Sequence, residues 1–193
     1  MIIEERVERS QYVKLITWIV SFIILMAGIV FPVLILWVNQ DMMSKVIGAS
    51  VLCLIFFTLI FTVAYQPRKL ILSETHIIME RILGQVYISY SDITDISLYH
   101  RENVAEIRIF GIGGLGGYIG KFYNSKIGFY TAYVGDYSQA FLIKINNREK
   151  YVMSCRHAEK IVEEVKSRFE AIRKSYVFVN ISDSKSCDCY LWQ

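Results

Sequence analysis

The sequence predicts two apolar helices that cross a membrane, followed by a small antiparallel β-barrel closed by a C-terminal amphipathic helix. Three observations carry that fold class. Two long runs near the N-terminus hold no charged side chain. Apolar and polar residues then alternate with period two over most of the chain as far as Cys155, the signature of half-buried strands. From Ala158 the apolar spacing changes to three and four, which is helical.

The apolar runs are Leu15–Val38 and Val46–Tyr65. Each reaches the roughly 20 residues that a helix needs to span the hydrocarbon core. Trp18, Trp37 and Tyr65 stand near their ends, where interfacial aromatics gather. The first run is longer than a signal-peptide core and has no small-x-small cleavage site, so both are expected to be retained. Pro32 lies inside the first, where membrane helices tolerate it. Arg6, Arg9 and Lys14 precede the pair and Arg68 and Lys69 follow it, while the connection 39–45 holds only Lys45. Basic residues favour the cytoplasmic side. The expected topology is an inner (cytoplasmic) membrane hairpin with both termini in the cytoplasm. Residues 1–14 form a short cytoplasmic lead, 15–65 the hairpin (15–38 and 46–65), 66–174 a folded domain and 175–193 a tail.

After Pro67 come the strand candidates 70–73, 76–82, 85–90, 93–100, 105–110, 129–134, 139–145 and 150–155. If 85–100 is one strand bent at Ser91-Asp92 the barrel has seven strands; if it is two, eight. In the final helix Ala158, Ile161, Val162, Val165, Phe169 and Ile172 form one stripe, which must be buried against the sheet.

The stretch Phe110–Asn124 reads FGIGGLGGYIGKFYN, with five glycines between Gly113 and Gly120. It contains a G-x-G-x-x-G match, but no helix follows and no G-K-[ST] is present, so neither a dinucleotide nor a Walker-type site is indicated. Catalytic signals are equally thin. His76, His100 and His157 are dispersed, G-x-S-x-G is absent, and Asp92 reads as a turn residue. Cys187 and Cys189 lack the C-x-x-C spacing and further ligands of a zinc site. No enzyme activity, cofactor, metal or nucleic-acid partner is expected. What remains is an interaction loop of Gly113, Gly114, Gly116, Gly117, Tyr118, Lys121, Phe122 and Tyr123. Glycine lets this loop turn sharply or press against another surface, and its aromatics either complete the core or dock a partner.

Residues 66–172 resemble the bacterial pleckstrin-homology-like (PH-like) domains attached to transmembrane helices. The resemblance rests on YQPRKLILSETHIIMERILGQVYISYSDITDIS, on RIFGIGGLGGYIGKFYNSKIGFYTAYVGD and on AFLIKINNREKYVMSC. The glycine and aromatic stretch is the most specific part and marks a subgroup of largely unknown function. The resemblance implies a partly open barrel plugged by the last helix. It also implies a non-enzymatic, membrane-anchored interaction module that contacts a protein partner, a second copy or lipid headgroups. An accessory subunit of a transport or envelope-stress complex is the alternative. From Arg68 to Lys174 there are 16 Lys/Arg and 12 Asp/Glu, a net of +4. The turn LSETHI holds no basic residue, so at most a weak attraction to anionic lipid is expected. In a seven-strand meander the glycine loop faces the membrane; an added reversal at 91–92 turns it to the cytosol.

Overall fold

The computed structural model describes residues 2–38, 41–101, 106–146 and 149–187. Strand β1 (Ile3–Arg6) leads into helices α1 (Gln11–Val38) and α2 (Met42–Ala64). Strands β2 (Pro67–Leu72), β3 (His76–Arg81) and β4 (Gln85–Ser89) follow. A 3₁₀ turn at Tyr90–Asp92 leads into β5 (Ile93–Tyr99), β6 (Glu106–Gly113), β7 (Tyr118–Asn124) and β8 (Gly128–Val134). A second 3₁₀ turn at Tyr137–Gln139 precedes β9 (Ala140–Ile145) and β10 (Lys150–Ser154), and α3 (Ala158–Cys187) ends the described chain.

Helices α1 and α2 are long and apolar enough to cross a membrane, and they bury little of their surface in the protein. Large side chains such as Trp18, Phe22, Phe57 and Ile60 stand bare on them. Where the two pack together, Gly28 lies under Ile55 and Gly48 approaches Pro32, since small residues let helix backbones come close.

The strands form two open sheets rather than one barrel. The first has the order β1-β2-β3-β4 and the second β5-β9-β10-β8-β7-β6. This corrects the expected count of seven or eight. The two halves of 85–100 are separate strands in different sheets, because the 3₁₀ turn carries the chain from one to the other. A further strand, β1, comes from the N-terminal lead. It pairs antiparallel with β2, with Arg6 opposite Lys69. Period two could not reveal β1, because four residues are too few to establish alternation. The glycine stretch, read as a loop, is mostly the β6–β7 hairpin. The arrangement is not wholly antiparallel either, since β10 inserts between β9 and β8 and runs parallel to β8.

The main core lies between the sheets and α3. Leu70, Leu72, Ile77 and Met79 meet Ile96, Phe141, Ile143 and Met153 there, together with Ala158, Ile161, Val162 and Val165 of α3. Phe169 and Ile172 pack at its margin, so the helical stripe is buried as its spacing requires. Helix α3 runs on to Cys187, past the start of the expected tail; Cys189 lies outside the described residues.

A second cluster fills the other, concave face of the second sheet. Its buried members are Tyr99, Phe122, Tyr130, Ala132, Val134, Ala140, Leu142 and Val152, with Tyr118 and Tyr137 packed against them. The sheet curls so far that its edge strands β5 and β6 meet through side chains. The Tyr99 hydroxyl donates to Glu106 Oε1 at 2.6 Å, and Asn124 of β7 donates to the Tyr99 oxygen at 3.1 Å.

Candidate functional site

The β6–β7 hairpin is the center of the candidate site, and glycine shapes both its arms and its tip. Gly111 and Gly120 face each other across the strands, with φ of +125° and +126°. A Cβ on either would strike the partner backbone, at Ile119 O or Phe110 O. The arms can therefore close only with glycine at both positions. A register shift between Arg108 and Phe110 leaves Ile109 as a bulge in β6. The tip is Gly114-Leu115-Gly116-Gly117, closed by the Gly114 N–H donating to the Gly117 carbonyl at 2.9 Å.

That tip sits against the ends of both long helices. The Gly116 N–H donates to Thr17 Oγ1 at 2.8 Å, and the Thr17 hydroxyl donates to Val13 O at 2.6 Å. Gly114 lies beside Ile16, and a Cβ on Gly116 would collide with the amide of the buried Gln66. Gln66 joins α2 to β2, so one turn touches the first turns of α1 and the exit of α2. Further contacts complete a collar. Ser10 caps α1 by accepting the Val13 N–H, and its own N–H donates to Gly135 O at 3.2 Å. The guanidinium of Arg81 lies 5.4 Å from the ring centers of both Tyr65 and Tyr133. The N-terminal strand is tied to the start of α3 by Glu8–Arg156 at 3.3 Å and Glu5–His157 at 3.1 Å.

Strand alternation divides the sequence-predicted aromatics. Phe122 is buried, and Tyr118 stacks edge-on against Tyr137 at 4.8 Å; both belong to the concave cluster. Lys121 and Tyr123 take the outer face. Tyr123 packs on Phe129 at 5.0 Å, and Lys121 pairs across the strands with Phe110. Gly113 ends β6 under the Arg108 side chain, while Gly114, Gly116 and Gly117 make the turn. The eight predicted residues thus share one hairpin but serve an inner core, an outer face and a helix contact. Sequence reasoning missed Thr17, Gln66 and Arg81. Thr17 left only a faint trace, one of two hydroxyls, with Ser21, in the first uncharged run.

The family described as bacterial PH domain matches residues 68–169. This chain belongs to that family. No curated protein and no solved structure matches it. The match runs from β2 into the first turns of α3, so β1 and the two long helices are additions to the PH domain, and the collar is where domain and additions meet.

Inside the PH domain the concave cluster carries an unusual set of polar groups. Glu106 has a side chain only 3% exposed and pairs with Arg101 at 3.0 Å. The Arg101 guanidinium lies over the Tyr137 and Tyr118 rings at 4.8 and 5.4 Å. The Tyr130 and Tyr137 hydroxyls are both buried in this cluster. Burial raises both above the ordinary tyrosine range. Burial, then the bond to Glu106, pushes Tyr99 up to about 12. These features describe an aromatic core cross-linked by an ion pair. Among the described residues no group of three or more His, Cys, Asp or Glu is placed to hold a metal.

Two predictions follow from this geometry. Thr17→Val keeps the shape but leaves the Gly116 N–H without its acceptor, and is expected to cost about 1–3 kcal/mol. Gly116→Ala adds a Cβ at φ +74° where Gln66 stands and is expected to cost more. Thermal unfolding of the full chain in detergent and hydrogen exchange at the Gly116 amide are the measurements. The second prediction concerns pH. Tyr99 titrates near 10 when unfolded and near 12 when folded, so the folded state favors its neutral form. That stability is fully present below about pH 10 and is lost as pH rises through about 12. The unfolding temperature should fall across this window, and Tyr99→Phe should make the fall shallower.

Proposed function

We propose that this chain is a membrane-anchored interaction module. In this reading α1 and α2 span the inner membrane, both termini and the PH domain lie in the cytoplasm, and the collar holds the domain rigidly at the membrane surface. Membership of the PH domain family supports an interaction role in place of catalysis. The observation that carries the rest is the contact of the hairpin tip with Thr17 and Gln66. A domain merely tethered by a linker would not need such a contact; a domain that must present one face in one orientation does.

The face best suited to a partner is the outer side of β6–β8, away from the tip. Antiparallel register aligns Ile107, Tyr123 and Phe129 in one row, and Phe110, Lys121 and Thr131 in the next. Ile107 is 56% exposed, Phe129 67% and Phe110 77%. Among the described strands β6 is also an edge of its sheet. Contiguous apolar surface beside an unpaired edge marks a protein-docking surface.

A cytoplasm-only reporter fused after Gln193 should be active and a periplasm-only reporter silent; the opposite pattern would reverse the topology. Co-purification from native membranes tests the docking face. The double variant Phe110→Asp, Phe129→Asp should lose the partner, since a central aromatic anchor is commonly worth about 2 kcal/mol or more, while unfolding stays near that of the parent. A partner that is retained by the double variant and is itself an integral membrane protein would favor the accessory-subunit reading.

A further inference from the structure

The turn from β3 to β4, Ile82-Leu83-Gly84, is a second place where the sheet reaches the long helices. The Arg81 N–H closes it by donating to Gly84 O at 3.2 Å, with Gly84 at φ +82°. The Leu83 N–H donates to Ala64 O at 2.9 Å. That carbonyl belongs to the last turn of α2, whose C=O groups have no partner within the helix. The bond therefore fixes Leu83 beside the helix end. Both side chains nonetheless point away from the protein, Ile82 at 47% and Leu83 at 57% exposed. On α2 the nearby Ile60 and Val63 are bare to a similar degree, at 66% and 51%. The apolar surface of the helix thus continues onto the turn, and no charged residue occurs from Ile82 to Ser91.

We propose that the β3–β4 turn is seated in the bilayer interface, with Ile82 and Leu83 in contact with lipid beside the end of α2. The inference rests on the reading of α1 and α2 as spanning helices, and its occupant is the lipid of that same bilayer. Ala64 closes a run uncharged from Val46, and Tyr65 is a residue that favors the membrane–water boundary. A backbone bond of 2.9 Å to Ala64 leaves no space for headgroups between turn and helix, so the two share one depth. The guanidinium of the adjoining Arg81 is packed over the rings of Tyr65 and Tyr133 with its Nε buried, which anchors the turn to the domain beside the helix end.

The test uses the full chain, with Cys53, Cys155, Cys187 and Cys189 replaced by serine or alanine, in phosphatidylethanolamine/phosphatidylglycerol vesicles. An environment-sensitive fluorophore is attached through Leu83→Cys, through Phe57→Cys in the middle of α2, or through Glu74→Cys in the β2–β3 turn. Nitroxide lipids and aqueous iodide serve as quenchers. The proposal expects lipid quenching at 57 and 83 and iodide quenching alone at 74. Lipid quenching at 57 with only iodide quenching at 83 would overturn the proposal and leave the spanning helices intact. Shielding of 83 from both quenchers would also overturn it, because protein would then cover the turn. Iodide quenching at 57 would refute the spanning reading itself, and the proposal with it.

Discussion

The structure depends on the pairing of β1 with β2. Helix α1 leaves β1 through residues 7–10, and α2 enters β2 through Tyr65 and Gln66. Backbone bonds hold the two strands in one register, Ile3 opposite Leu72 through Arg6 opposite Lys69. Neighboring strands lie about 4.8 Å apart, whereas packed helices lie about 8–10 Å apart. The chain must widen between the two, and the widening leaves a gap between the helix ends. The glycine tip occupies it, reaching Thr17 on one side and Gln66 on the other. A side chain on Gly116 would not fit between them. Sliding one helix along the other would break strand pairing and collar together, so the helix pair and the PH domain form one mechanical unit.

The curled second sheet serves two needs with one hairpin. Its concave face is closed by aromatics and by Tyr99–Glu106–Arg101, which link the edge strands without backbone pairing. Its outer face is covered near the tip, where Tyr133 meets Arg81, and left bare farther along at Ile107, Phe110 and Phe129.

The amino-acid sequence by itself determined the elements whose periods are long. The two apolar helices, the buried stripe of α3 and the β-rich middle were legible because each repeats one spacing over many residues. It also singled out Phe110–Asn124, since five glycines in so short a stretch imply close backbone approach. Only the tertiary structure decided what those glycines approach. The partners of Gly116, Thr17 and Gln66, are distant in sequence, and no local pattern couples them. The same holds for β1, which becomes a strand because β2 offers an edge, and for β10, whose parallel place beside β8 follows from a crossover. Read as a loop, Tyr118, Lys121, Phe122 and Tyr123 stood as one group; strand β7 puts Tyr118 and Phe122 on one face and Lys121 and Tyr123 on the other. Which set faced inward was settled by the curl of the sheet, because a strand's two faces are equivalent until something packs against one of them.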